Sequence, residues 1–157
     1  MTTRTRLAAS GVMIAAAIVA LALLATRHTS AAPNSVAPYP ANFTISEVGI
    51  RLSSLASGDT AAVSQAKAVE LALADAGPRA DGSKPYSVQL TRLTDPNYGV
   101  DGEPPIINDR LVWLVRFTGT PQPVFGPAGR EEGVISYELN VVVDATTGSV
   151  LESFSYR

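Results

Sequence analysis

The C-terminal segment, residues 134–156, constrains the fold of this chain more than any other stretch. From position 135 to position 143 the odd residues are apolar, whereas most even residues are polar. Alternation with a period of two is typical of a β-strand with one buried face. The apolar set is Ile135, Tyr137, Leu139, Val141 and Val143, and the polar set is Ser136, Glu138, Asn140 and Asp144.

A turn motif, Asp-Ala-Thr-Thr-Gly, occupies positions 144–148 directly after this strand. The Asp144 side chain can accept hydrogen bonds from the backbone that follows it, and Gly148 can take the positive φ that closes a short loop. The chain then returns through a stretch near 149–156 that contains Val150, Phe154 and Tyr156. The segment therefore predicts a long β-hairpin.

Two more strands are predicted upstream, over residues 86–94 and 110–118. The second is apolar on both faces as far as Leu114, which is typical of a strand inside a sheet or with its second face covered. The pattern favours a core position for Trp113; the alternative is an exposed aromatic at a binding surface. Arg116 lies on the opposite face and is expected to be solvent-facing or ion-paired.

A helix is predicted over residues 60–76. Asp59 or Thr60 can cap its first turn, and Gly77 followed by Pro78 ends it. Leu71 lies off the expected apolar stripe, so it either contacts another element or is exposed. That stripe consists of Ala62, Ala66, Val69, Leu73 and Ala76.

A second, shorter helix is predicted between Phe43 and Ala56. Its apolar residues recur at helical spacing, and Thr44 with Glu47 can form a capping box. Gly49 weakens a helix, so a strand through Phe43 and Ile45 is the alternative. The apolar residues at helical spacing are Ile45, Val48, Leu52 and Leu55.

Two long connections, residues 95–109 and 119–133, separate the predicted strands. Each contains several prolines, and the second begins and ends with glycine. Loops of this length are uncommon in compact domains and are often functional where they occur.

The N-terminus, residues 1–32, is predicted to be a signal peptide or a single-pass membrane anchor. Leu7–Ala25 is an uncharged run of 19 residues, which as a helix would span roughly 28 Å. Small residues at 30–32 offer a cleavage site, and the basic residues before the run place the rest of the chain outside the cytoplasm. Residues 33–42 are predicted to form a Pro-rich tether to a domain over residues 43–157.

Composition excludes several classes of function. All fourteen acidic residues follow position 33, and with nine basic residues they give that part a formal charge of −5. Such a surface repels nucleic acid. The chain has no cysteine, and its one histidine, His28, lies beside the apolar run. Disulfides, thiolate catalysis, Ser-His nucleophiles and His-based or thiolate metal sites are therefore excluded from the predicted domain.

Carboxylates remain as candidates for chemistry. Glycoside hydrolysis needs two carboxyl groups facing each other across a cleft, and the chain offers Glu131 with Glu132, or Asp101 with Glu103. Neighbouring glutamates in a Gly-rich loop are more often a solvated loop tip. Oxygen ligands in one loop suggest Ca²⁺, but their spacing does not match an EF-hand. These ligands are Asp95, Asn97, Asp101, Glu103 and Asp109. No residue is assigned as catalytic, cofactor-binding or metal-binding.

Three features together resemble the PepSY and PepSY-like domains over roughly residues 59–156. They are the helix with Ala66, Glu70 and Ala72, the strand with Trp113-Leu114-Val115, and the Asp-Ala-x-Thr-Gly turn at positions 144–148. The resemblance implies an exported or envelope domain and carries over no catalytic residues. Together with the strand predictions it gives an α+β fold: a main helix packed on one face of a four-stranded antiparallel sheet, preceded by the N-terminal hydrophobic helix.

The expected function is that of a non-enzymatic, extracytoplasmic interaction module that binds a protein or peptide and regulates an envelope peptidase. The resemblance implies this role, and the two long connections and the second face of the sheet supply a contact surface. The alternatives are a small carboxylate-dependent envelope hydrolase and a carrier of a small apolar ligand between helix and sheet. Contact with the membrane is expected only through an uncleaved N-terminal segment.

Overall fold

The computed structural model describes residues 36–98, 105–126 and 129–156, so the predicted leader at 1–32 lies outside the described residues. Within them the order is strand, strand, helix, then four strands. The elements are β1 (Thr44–Ile45), β2 (Ile50–Ser53), α1 (Gln65–Ala76), a 3₁₀ turn (Gly77–Arg79), β3 (Tyr86–Asp95), β4 (Ile107–Gly126), β5 (Gly129–Asp144) and β6 (Val150–Phe154).

The six strands form one antiparallel sheet in the order β1-β2-β3-β4-β5-β6. The predicted fold class, a four-stranded sheet with a main helix on one face, is therefore wrong. The described chain is mainly a six-stranded meander, and α1 is a single helix of only twelve residues. The two missed strands come from residues 43–56, where a helix was expected, and β4 and β5 are much longer than predicted.

The predicted helix between Phe43 and Ala56 is wrong, and of the alternative strand through Phe43 and Ile45 the part at Ile45 is correct. Gly49 has φ of 73°, and its N–H donates to Ile45 O at 2.8 Å, so the chain turns between β1 and β2. Leu52 of β2 then pairs with Leu93 of β3, and both side chains are buried. The helical spacing of the apolar residues wrongly indicated a helix. Ile45 and Leu52 are instead buried in the same core from two strands that are joined by a turn.

The helix α1 begins later than predicted and buries a different stripe. Ser64 caps it by accepting a hydrogen bond from Lys67 N, whereas Asp59 pairs with Arg92. Ala62 and Ala66 of the predicted stripe are exposed. The fully buried residues are Ala68, Ala72 and Ala76. Three alanines four residues apart lie on one side of the helix and let its backbone approach the sheet closely. The alanine side therefore faces the sheet, and the larger side chains of Val69 and Leu73 are only half-buried.

The sheet face under α1, called here the helix face, carries the larger side chains of the helix–sheet core. Leu71 packs against this core, as does Trp113, whose indole Nε1 donates to Val63 O at 2.8 Å. Trp113 is therefore a core residue. The alanines of α1 meet Val115, Phe117, Leu139, Val141 and Val143 of β4 and β5.

Replacing Ala72 with leucine should destabilise the protein by about 1–3 kcal/mol, because the added methylene groups have no space between α1 and the sheet. Ala66→Leu is the matched control: Ala66 is on the same helix but exposed, so its change should stay within about 0.5 kcal/mol. Urea unfolding of both variants measures the difference. Equal stabilities would show that the alanine stripe is loosely packed.

The predicted loop at 119–133 is instead the far part of β4 and β5, called here the arm. The arm comprises residues 119–126 of β4 and 129–137 of β5, and the two strands pair with register shifts at Thr118/Gln122 and Pro123/Phe125. Strand β3 starts at Tyr86 opposite Phe117, so β4 beyond that point has only β5 as a strand neighbour in the described chain. An edge strand tolerates Pro121 and Pro123, which is why proline did not end it.

The predicted burial of the apolar positions of β5 is correct for its second half and wrong for its first. Leu139, Val141 and Val143 are buried under α1, but Ile135 and Tyr137 are 52% and 63% exposed. The helix is too short to cover the arm. The polar positions Ser136, Asn140 and Asp144, expected in water, are buried instead.

The turn after β5 is confirmed as predicted. Asp144 Oδ1 accepts hydrogen bonds from the N–H groups of Thr146 and Thr147, both at 2.8 Å. Gly148 has φ of 80°, and its N–H donates to Asp144 O. Arg110 Nε donates to Asp144 Oδ2 at 2.5 Å and adds an ion pair that the sequence pattern did not suggest.

Across the ranges that the structure describes, no helix is both long and apolar enough to cross a bilayer.

Candidate functional site

The face of the sheet opposite α1 is covered by residues 36–40, called here the strap. These residues belong to the predicted tether, and they lie against the sheet. Gln89 of β3 donates from Nε2 to Tyr39 O at 3.2 Å, and Arg116 of β4 donates to Ala37 O at 3.2 Å. The polar side chains of β3 and β4 on this face therefore hold the backbone of the strap.

The Tyr39 side chain is the main contact of the strap. It is only 8% exposed, stacks on Phe43 with ring centroids 5.3 Å apart, and lies under the Arg116 guanidinium at 4.6 Å. Its hydroxyl donates to Glu138 Oε1 at 2.5 Å and hydrogen-bonds to the Tyr156 hydroxyl. Residues from β4, β5 and the end of the chain thus form one polar cluster around this hydroxyl.

The ionisable groups of this cluster each have one protonation state at neutral pH. Burial would raise the pKa of Glu138, but hydrogen bonds from Arg116 and Tyr39 outweigh burial and lower it. Burial raises the pKa of Tyr156 to about 12, and burial with the hydrogen bond to Glu138 raises the pKa of Tyr39 further. The carboxylate is therefore ionised and paired with Arg116, and both tyrosines are neutral.

A cleft of about 430 Å³ opens beside this cluster, where the arm leaves the sheet. Lys84 donates to Gly119 O at 2.8 Å and Thr118 donates to Pro85 O at 2.9 Å, so the root of the arm is tied to the start of β3. Glu138 and Tyr156 line the cleft and also contact Tyr39. The other lining residues are Thr118, Gly119, Ile135, Ser136 and Tyr137.

Two of these lining residues, Ile135 and Tyr137, continue the apolar stripe of β5 beyond the end of α1. They present an aliphatic and an aromatic side chain to solvent, whereas the side chains of Ser136 and Glu138 between and after them point to the opposite face of β5. A cleft with apolar walls and a few fixed polar groups is typical of a site that binds another molecule. Tyrosine is among the residues that contribute most to binding at interfaces.

A second polar cluster lies deeper under the opposite face. Asp95 at the end of β3 and Glu152 of β6 are 0% and 5% exposed, although their strands are not neighbours in the sheet. Burial, together with the adjacent Asp95 carboxyl, raises the pKa of Glu152 to about 9. Asp95 Oδ1 accepts hydrogen bonds from Asn97, and the protonated Glu152 carboxyl hydrogen-bonds to Asp95.

The carboxylates predicted as Ca²⁺ ligands are not brought together where they are described. Asp95 is buried beside Glu152, whereas Asp109 is exposed and pairs with Arg92 at 2.9 Å. Asp101 and Glu103 lie outside the described residues. The described ranges contain no group of three or more potential metal-ligating side chains.

The carboxylate pair Glu131 and Glu132 is on β5 within the arm, not in a loop, and the side chains of the two residues lie outside what the structure describes. The predicted loop at 119–133 is wrong because glycine and proline do not end these strands. In the structure Gly119, Pro121 and Pro123 lie at the register shifts of the arm.

Sequence reasoning missed the residues that form the candidate site. Tyr39 was assigned to a tether, and Ser136 and Glu138 were placed on a solvent face. Arg116 is predicted to be solvent-facing or ion-paired; it is ion-paired, and the sequence did not identify its partner, Glu138. A signal was present: the apolar second face of β4 indicates a strand inside the sheet or one with that face covered, and Tyr39 is the only aromatic residue between the leader and Phe43.

Comparison of the chain with protein-family models, with curated proteins and with solved structures gives no match. The resemblance to PepSY-like domains therefore stays a prediction.

Proposed function

We propose that this protein is a non-enzymatic interaction module that binds a protein or peptide partner at the cleft beside the arm. The observation that carries the proposal is the exposed pair Ile135 and Tyr137 at the wall of a cleft that also contains Glu138 and Tyr156. Two large apolar side chains at such a position lose their contact with water when a partner covers them.

Two further observations support this role. The ionisable groups around the cleft are already paired with one another, as in the ion pair of Arg116 with Glu138, which suits recognition better than proton transfer. The apolar N-terminal segment favours an extracytoplasmic location, membrane-anchored or secreted. The resemblance of the turn at 144–148 to PepSY-like domains points to the cell envelope and to an envelope peptidase as the partner.

Replacing Ile135 and Tyr137 together with alanine should reduce capture of the partner about tenfold or more, because apolar and aromatic side chains at the centre of an interface dominate its affinity. A photo-crosslinking amino acid at Thr118 of the full chain, expressed in its native cells, measures capture. Thr118 lines the same cleft, and a crosslinker at this position leaves positions 135 and 137 free for the alanine substitutions.

Leu55→Ala is the matched control, since Leu55 is also a large exposed apolar residue, at 45%, but lies outside the cleft. It should leave capture unchanged, and neither variant should change the melting temperature appreciably. Equal capture by the double variant and the control would exclude this cleft as the binding site.

A further inference from the structure

We infer that the groove beneath the strap is itself a peptide-binding site, which residues 36–40 fill in cis. Its ligand in trans is an extended segment of a protein partner that carries a tyrosine. This inference rests on the proposed function, since it names the class of partner and its mode of binding. Three features of the groove support it.

First, the groove recognises backbone. The two bonds from the sheet to the strap run from Gln89 and Arg116 to the carbonyls of Tyr39 and Ala37, two residues apart. Carbonyls at this spacing lie on the same side of an extended chain. Bonds to backbone carbonyls do not depend on the side chains of the strap, so a different extended segment can make the same bonds.

Second, the groove contains a pocket selective for tyrosine. The ring is held by Phe43 and Arg116, and its hydroxyl lies among Glu138, Asn140 and Tyr156. A phenylalanine would fill the same volume but would leave these buried polar groups without their partner. Sites built to hydrogen-bond a hydroxyl reject the analogue that lacks it.

Third, the strap does not use all the hydrogen-bonding capacity of the groove. Gln89 Oε1 and Arg116 Nε are buried and have no partner among the described residues. Pro38 and Pro40 flank Tyr39 and carry no N–H. An extended segment with ordinary residues at these positions has backbone N–H groups to offer Gln89 Oε1, so it can satisfy an acceptor that the strap leaves open.

The groove is also continuous with the open cleft, because Glu138 and Tyr156 belong to both. A ligand longer than the strap can therefore extend from the tyrosine pocket into the cleft at the root of the arm, beside Thr118 and Gly119. The strap then acts as an autoinhibitory contact that a partner must displace from the pocket.

The test replaces residues 36–40 with glycine and serine in the otherwise intact chain. The probe is an acetylated, amidated hexapeptide with the sequence of residues 36–41, and its partner probe has alanine in place of the tyrosine. The tyrosine probe should bind saturably and raise the melting temperature by mass action, and the alanine probe should bind at least about tenfold more weakly. The unmodified chain should not bind either probe below about 1 mM, because its own strap competes at a high effective concentration.

A folded replacement variant that binds neither probe at about 1 mM, or both equally, would overturn the inference. If replacing residues 36–40 prevents folding, the full chain with Tyr39→Ala is used instead. The tyrosine probe should then restore the folded state of that variant. Failure of the probe to restore it in either variant would mean that the strap is an integral part of the core. If capture of the partner at the cleft still depended on Ile135 and Tyr137, the proposed function would be supported although this inference was wrong.

Discussion

Glu152→Gln is expected to stabilise this protein by several kcal/mol at pH 8 and to change the pH dependence of its unfolding. Glu152 is 5% exposed beside the buried Asp95, and its pKa in the folded state is about 9. A raised carboxyl pKa means that the folded state retains a proton that the unfolded chain releases above about pH 4.3. The contribution of Glu152 to stability is therefore greatest below that pH and falls by up to about 1.4 kcal/mol per pH unit until about pH 9.

The glutamine variant is neutral at every pH and keeps nearly the same shape, so it removes this decline. Its amide can donate to Asp95 as the protonated Glu152 carboxyl does, so the substitution keeps that hydrogen bond. Denaturant unfolding of both proteins from pH 4 to pH 9 measures the effect. Glu47→Gln, at an exposed position, is the control and should follow the original curve. Parallel curves for the original chain and Glu152→Gln would show that the buried pair is not repulsive.

Asp144→Ala is expected to cost about 2–4 kcal/mol of the free energy of unfolding, since one buried carboxylate satisfies several donors at once. Its side chain is 1% exposed and accepts bonds from two backbone N–H groups and from Arg110. The alanine variant removes the turn closure and the ion pair together. Thr146→Ala, in the same turn but with an exposed side chain, should change stability by less than about 0.5 kcal/mol.

The pH dependence at Asp144 has the opposite sign to that at Glu152. Burial alone would raise the pKa of Asp144, but the N–H groups of Thr147 and Thr146 and the Arg110 guanidinium outweigh it and lower the pKa. Its contribution is therefore present above the unfolded pKa and is lost as the pH falls through the folded value. Urea unfolding at pH 7 and at pH 3 should show a smaller difference between Asp144→Ala and the original chain at the lower pH. A difference that is independent of pH would contradict the assigned ionisation.

The sequence determined those parts of the fold that depend on local chemistry. The turn at 144–148 formed as predicted because an aspartate, a glycine and their backbone neighbours suffice for it. The strands near residues 86–94, 110–118 and 134–144 were found because alternation of apolar residues with a period of two is typical of a β-strand. The end of α1 at Gly77 followed from the same local logic, with φ of 53° at that glycine.

Only the tertiary structure decided what covers each face of the sheet. A twelve-residue helix covers Leu139 to Val143 but not Ile135 and Tyr137, so identical alternation along β5 gives a core at one end and an exposed patch at the other. On the opposite face, Tyr39 meets Glu138 and Tyr156, residues 99 and 117 positions away in the chain. Local sequence does not show which residues meet at that separation, because these contacts depend on how the strands between them are arranged. The candidate site consists of such contacts, and the sequence alone therefore did not locate it.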